Sequence, residues 1–229
     1  MRDQRFIEGI VANIPLFRGA APTVVAGVAR QCSSVSALRG ALVVPCGAHL
    51  PGIFALAQGT VKLALRNGQH EERVLCLVQP GQTFGEATAL TGRAAPYEAR
   101  ALAECKLVVI PAAAVYAALE SDARTARQVV HAIAERYFDL LAELQSASMR
   151  RGSQRLASYL QSLAGPSAPD GACTVKLPAT KTVIASRLDM KKETLSRLLR
   201  SLAERGLIAV TQREIRILDR EALGHLTGI

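Results

Sequence analysis

The stretch KTVIASRLDMKKETLSRLLR, residues 181–200, decides how the rest of the chain is read. Its apolar set, Ile184, Leu188, Met190, Leu195 and Leu198, recurs at helical spacing, and small Ala185 falls where two helices would cross. Lys191, Lys192, Glu193, Ser196 and Arg197 are left facing outward. Two short helices joined by a tight turn form a helix-turn-helix, whose second helix enters a DNA major groove. A surface helical hairpin with merely solvated charges has the same periodicity. Asp189 stands where the turn usually has glycine, and Asp tolerates turn geometry better than most residues.

Charge separates these readings. The net charge is +9. Residues 1–149 hold 14 Lys and Arg against 12 Asp and Glu, a balance of +2, whereas residues 150–229 hold 14 against 7, a balance of +7. The excess lies on the third of the chain that carries residues 181–200. A polyanion held through phosphate contacts and counterion release accounts for it better than a basic enzyme surface.

Upstream of this stretch, CTVKL and Pro178 follow a Gly/Pro/Ser-rich loop, GPSAPDGA, and the helical pattern SQRLASYLQSL, for which Ser153 is a candidate cap. Downstream, Gly206 suits a helix C-terminus, and LIAV and EIRIL flank Thr211, Gln212 and Arg213 as a two-stranded wing. Arg150, Arg151 and Gly152 mark a hinge-like break. Before it, Ala126, Val130, Ile133, Tyr137, Leu140, Leu144 and Ala147 are spaced alternately four and three, an a/d seam of about three heptads. The strictness of the alternation favours a parallel dimer helix. A stripe packed on the chain's own remainder is the other reading, and Val129, Phe138 and Leu141 on its flank suit that role.

Residues 38–110 have a different texture. ALVV, GIFAL, TVKLAL, ERVLCLV and KLVVI are short β-rich runs punctuated by glycines and by Asn67-Gly68, a good hairpin turn, which argues for a small antiparallel roll or barrel. Helical patterns at about residues 4–13 and 22–31 precede it. The predicted class is therefore α+β, with an effector domain at 1–121, a dimerisation helix at 122–149 and a winged-helix DNA-binding domain at 150–229. No run is long and apolar enough to span a bilayer and the N-terminus lacks a secretion-signal centre, so a cytoplasmic protein without membrane contact is expected. No nucleophile–base spacing, phosphate loop or metal-ligand cluster points to an enzyme. The five cysteines, at positions 32, 46, 76, 105 and 173, lack the close pairing of a zinc ribbon or iron–sulfur site and read as free thiols.

Roll, heptad and winged helix in this order resemble the Crp-Fnr family of bacterial transcription regulators over nearly the whole chain. GTVKLAL (59–65), PGQTFGEA (80–87), KKETLSRLLRSLAERGLI (191–208) and REIRILDREAL (213–223) carry the resemblance. The tail and PGQTFGEA look most like the nitric-oxide-responsive, DNR-like branch. The resemblance implies a homodimer, double-stranded DNA and RNA polymerase as partners, activation as the direction of control, and a cyclic-nucleotide-binding-like roll that receives an effector.

It also implies site residues. Glu193, Ser196 and Arg197 match the Fnr-type pattern E-x-x-S-R, with Lys192 just before, and would read base edges of a palindrome near TTGAT-N4-ATCAA. Thr180, Lys181, Lys191 and Thr194 match phosphate-contacting positions. In the effector pocket Gly85 and Glu86 keep the family's Gly-Glu pair, but Ala95 and Pro96 replace its Arg-Ser, which reads against cyclic AMP because a buried phosphate would have no counter-charge. The N-terminal cysteine cluster of the family's iron–sulfur branch is missing. Haem stays open, with His49, His70, His131 and Cys76 as candidate ligands. A cyclic-nucleotide- or metabolite-binding regulator with different DNA specificity is the alternative.

Overall fold

The computed structural model describes residues 2–66, 72–149, 151–165 and 173–227. The chain divides into two compact units, Met1–Phe138 and Asp139–Ile229.

In the first unit two helices, α1 (Arg2–Asn13) and α2 (Pro22–Ala29), lead into eight strands: β1 (Ser33–Ala37), β2 (Leu42–Val44), β3 (Ile53–Gln58), β4 (Val61–Arg66), β5 (Glu72–Val78), β6 (Thr83–Phe84), β7 (Glu98–Ala101) and β8 (Cys105–Ile110). A short helix, α3 (Glu86–Thr91), falls between β6 and β7, and α4 (Ala112–Ser121) follows β8. The strands form two four-stranded antiparallel sheets, ordered β1-β8-β3-β6 and β2-β7-β4-β5. The side chains between them form one core, including Phe54, Leu56, Val61, Leu63, Phe84, Leu107 and Val109. Alternation along β3 and β8 sends the neighbouring residues Ile53, Ala55, Val108 and Ile110 to the other face, where they join α1, α2 and α4 in a second core. The roll is thus a two-layer sandwich with helices on one side.

β1, β6 and β7 are not among the predicted strands. β1 is SSVSA, a mostly exposed edge strand held by its register with β8. β7 is EARA, and it carries Glu98, only 7% exposed. Glu98 tolerates burial because Arg66 and Arg100 each approach its carboxylate at 3.4 Å; Lys62, equally buried, donates to both oxygens of Glu72 at 2.5 and 2.6 Å. The predicted turn at Asn67-Gly68 lies outside the described residues.

The long helix α5 (Ala123–Met149) runs from the first unit into the second. Asp122 caps it: its carboxylate accepts from the Thr125 hydroxyl at 2.6 Å and from the Thr125 and Arg124 amides at 2.9 and 3.1 Å. These bonds, the Thr125 hydroxyl foremost, hold the Asp122 carboxyl below its ordinary pKa.

In the second unit α6 (Gly152–Ala164), β9 (Cys173–Lys176), α7 (Lys181–Arg187), α8 (Lys192–Glu204), β10 (Ile208–Thr211), β11 (Glu214–Ile217) and α9 (Arg220–His225) follow one another. β10 and β11 form a hairpin, and β9 adds to β11, giving a sheet ordered β10-β11-β9 beside the helices. Ser153 does not cap α6. The helix starts earlier, and the Gln154 side chain accepts from the Arg151 amide at 2.7 Å. Gly206 ends α8 as expected: at φ 72° it lets its own amide reach the Ala203 carbonyl and the Leu207 amide reach the Leu202 carbonyl, closing a Schellman motif.

The apolar set expected for residues 181–200 needs one correction. Ile184, Ala185, Leu188 and Leu195 are buried, but Leu198 and Met190 are half-buried; Leu199 and Leu202 supply the rest of the α8 core. Three buried leucines along one side of α8 stabilise its docking by about 1.5 to 3 kcal/mol each.

Between α7 and α8, Asp189 adopts φ 52°, the left-handed conformation that glycine adopts without strain. Asp189→Gly is therefore expected to change stability by no more than about 1 kcal/mol, relief of strain offsetting the greater freedom of an unfolded glycine. Denaturant midpoints for the two proteins check this; a loss well beyond that bound would mean the Asp189 side chain holds the turn together.

Candidate nucleic-acid interface and sensor pocket

α8 begins at Lys192, with Lys191 in extended backbone as its N-cap residue. Lys191, Lys192, Glu193, Ser196 and Arg197 are exposed; the opposite side of the helix carries buried Leu195, Leu199 and Leu202. Because positions three and four apart share a helical face, Glu193, Ser196 and Arg197 present one polar surface. Arg200 continues it, also exposed, one turn beyond Ser196. The motif comparison passed over Arg200; the exposed i, i+3, i+4, i+7 set starting at Glu193 is the signal that finds it. A carboxylate acceptor and a guanidinium fork on one face suit the amino group of cytosine and the O6/N7 edge of guanine.

The four residues matched to phosphate positions are arranged around this face differently. Lys191 is exposed, and Thr194 and Lys181 are half-buried. The Thr180 hydroxyl caps α7 by accepting from the Val183 amide at 3.5 Å, which leaves its proton available to a further acceptor. The wing turn places Gln212 at φ 54°, and Arg213 there donates to the Leu177 carbonyl at 2.9 Å, tying the hairpin to the chain that enters α7.

Most of the heptad residues of α5 are exposed in the single chain. Val130, Ile133, Tyr137, Leu140 and Leu144 are 66, 42, 59, 45 and 66% exposed, and Ala126 is half-buried. The side chain of Ala147 lies outside the described residues. On the flank, Val129 packs into the helical core of the first unit as anticipated, whereas Phe138 and Leu141 are 65 and 40% exposed. They come after Val129 and Ala132, the α5 residues that join that helical core.

In the roll, Gly85 and Glu86 lie at the start of α3. Gly85 adopts φ 87°, a left-handed conformation that favours glycine, and Leu50 Cδ2 lies where a Cβ would point. Phe54 and Phe84 stack at 5.0 Å beside it. Burial pushes the Tyr97 phenol above its ordinary pKa. Ala95 is buried at 1% exposure and Pro96 is exposed. Neither nearby arginine stands in for the absent one: Arg93 is exposed, and Arg100 donates to the Gly40 carbonyl at 2.9 Å and approaches Glu98.

Of the candidate haem ligands, His49 bonds the Gly92 carbonyl through Nδ1 at 2.9 Å in an exposed position. His131 is 70% exposed on α5 beside Glu135, Cys76 is buried with Arg136 Nη2 at 3.8 Å, and His70 lies outside the described residues. All five cysteines are free thiols. Among the described residues, no three His, Cys, Asp or Glu side chains are grouped so as to hold a metal ion, and no helix is long and apolar enough to cross a membrane.

A roll of two antiparallel sheets, a long helix and a C-terminal winged helix-turn-helix define a DNA-binding transcription regulator. Residues 34–122 match the cyclic nucleotide-binding domain family, and residues 154–226 match the Crp-like helix-turn-helix domain family. The chain belongs to the Crp-Fnr family of transcription regulators. It is 27% identical to the global nitrogen regulator of Synechococcus elongatus over 82% of this chain and 86% of that protein. It is 24% identical to the CRP-like cAMP-activated global transcriptional regulator of Mycobacterium tuberculosis over 96% of this chain and 99% of that protein. The structure of FixK2 from Bradyrhizobium japonicum shares the fold, with a TM-score of 0.76 and 18% identity over 85% of this chain and 96% of that one.

Proposed function

We propose that the protein acts as a homodimer, reads a palindrome near TTGAT-N4-ATCAA with one half-site per subunit, and is switched by a small molecule other than cyclic AMP received in the roll. The observation that carries the DNA reading is the exposure of Glu193, Ser196 and Arg197 on one face of α8, opposite the buried leucines that anchor it. Support for the dimer comes from the exposed apolar stripe of Val130, Ile133, Tyr137 and Leu140 on α5, which a second copy presents in the same order. A two-fold dimer sets two recognition helices about one DNA turn apart, which suits a palindrome. RNA polymerase is the further partner. Since α5 is shared by both units, a signal that alters its packing shifts the winged helices between two populated states.

The mycobacterial relative is named for activation by cyclic AMP. Against the same effector here stand buried Ala95 and exposed Pro96 at the Arg-Ser positions, and Arg100 engaged with Gly40 and Glu98. A cyclic phosphate placed beside them would be desolvated without a paired cation. The described haem candidates do not fit that group either: neither exposed histidine offers the shielded ring nitrogen of an axial ligand, and Cys76 has Arg136 against its sulfur. The DNR-like resemblance therefore brings no haem chemistry into the proposal.

Titration of the purified protein with the TTGAT-N4-ATCAA duplex and with a scrambled duplex of equal length tests the DNA reading. Preferential binding of the palindrome is expected, unchanged by added cyclic AMP. Equal affinity for both duplexes overturns the half-site, a cyclic-AMP-dependent gain overturns the effector argument, and a Soret band after incubation with haem restores haem as the ligand.

A further inference from the structure

The geometry points to Arg155 as a positioning residue for DNA reading, a side chain that holds the turn from which α8 is launched. Arg155 stands in the first turns of α6, and its guanidinium forks onto the helix-turn-helix turn. Nε donates to the Leu188 carbonyl at 2.9 Å, and Nη2 donates to the Asp189 carbonyl at 3.1 Å. Leu188 is the C-cap of α7, so the first bond places a cation at the negative end of that helix. Asp189 is the left-handed residue whose backbone sets the direction in which α7 passes into α8. A planar guanidinium spans two adjacent carbonyls at once, which the single ammonium of lysine does not reproduce.

The backbone also approaches closely beside this fork. A Cβ on Gly152, the first residue of α6, would meet Leu198 Cδ1 at 3.4 Å and Met190 Cε at 3.6 Å. The first turn of α6 is thus seated on the turn and on the flank of α8 together. Since α6 begins just after the end of α5, the residue that grips the turn sits on the element that any movement of α5 reaches first.

The consequence falls on specificity rather than on charge. Base-edge hydrogen bonds from Glu193 and Arg197 require donor and acceptor to meet near 3 Å with good alignment, so a small rotation of α8 forfeits them. Lysine contacts with phosphates survive the same rotation, because the side chains are long and the attraction is not directional. Loss of Arg155 should therefore lower sequence discrimination before it lowers electrostatic affinity.

The inference rests on the reading of α8 as the recognition helix, and its test separates the two. The full-length wild-type protein first selects its preferred duplex from a random pool. Dissociation constants for that duplex and a scrambled one are then measured over a salt series for wild type, Arg155→Met and Arg155→Lys, with circular dichroism as the check on folding. Both variants are expected to lose roughly tenfold in the ratio of preferred to scrambled binding. Affinity for the scrambled duplex and its salt slope should stay at the wild-type values. A merely structural role would weaken both duplexes alike; that result, or an unchanged ratio, overturns the proposal. If Arg155→Met does not fold, Arg155→Lys decides on the same criteria, and if neither folds the residue is a structural support and the proposal falls. A selection that returns no preferred sequence overturns the reading of α8 itself, and this inference with it.

Discussion

Leu140→Glu is expected to convert the protein to a monomer and to weaken binding to a two-fold DNA site by roughly a hundredfold or more, because the second half-site no longer benefits from being tethered to the first. Leu140 lies in the middle of the bare stripe formed by Val130, Ile133, Tyr137 and Leu144. In the single chain it is 45% exposed, so glutamate there meets water and the fold of each unit is left intact. In a two-stranded seam the same carboxylate would face its symmetry mate in a desolvated layer, where like charges cost several kcal/mol. Sedimentation equilibrium and a DNA titration on the same samples check both halves of the expectation. A variant that stays dimeric at the wild-type concentration would move the subunit contact away from α5.

Arg197→Ala is expected to cost about 1 to 3 kcal/mol on the preferred duplex and little on random DNA, since a bidentate pair with guanine discriminates by that amount. The side chain is exposed on α8, on the face away from buried Leu195, Leu199 and Leu202, so its truncation removes neither core packing nor a helix cap. Parallel titrations of the two duplexes measure the difference. Equal losses on both would make Arg197 a phosphate contact, and base reading would then pass to neighbours such as Arg200.

The winged helix was legible because its parts are local. Helical spacing of Ile184, Leu188 and Leu195, the stop at Gly206 and the LIAV and EIRIL runs each depend on residues a few positions apart. The choice between Leu198 and Leu199 as the buried residue was not local. Both lie within the apolar sector of α8, and the surfaces packed against it select Leu199. β7 escaped notice for a related reason: Glu98 in EARA looks like a surface residue until Arg66, on a strand distant in sequence, comes to its carboxylate. The heptad was plain in the spacing, but which flanking residues find a core was not: Val129 is buried, and Phe138 and Leu141 are exposed.

The sequence by itself determined the order of roll, long helix and winged helix, the basic excess on the last third and the outward face of Glu193, Ser196 and Arg197, because periodicity, turn chemistry and charge act over short separations. The turn at Asp189 was also legible, as a residue tolerant of left-handed geometry in the usual glycine position. Only the tertiary structure decided that Arg155, from another helix, grips its carbonyl. A hydrogen bond between residues 34 apart leaves no periodic trace in a chain; it exists only once α6 lies against the turn that follows α7.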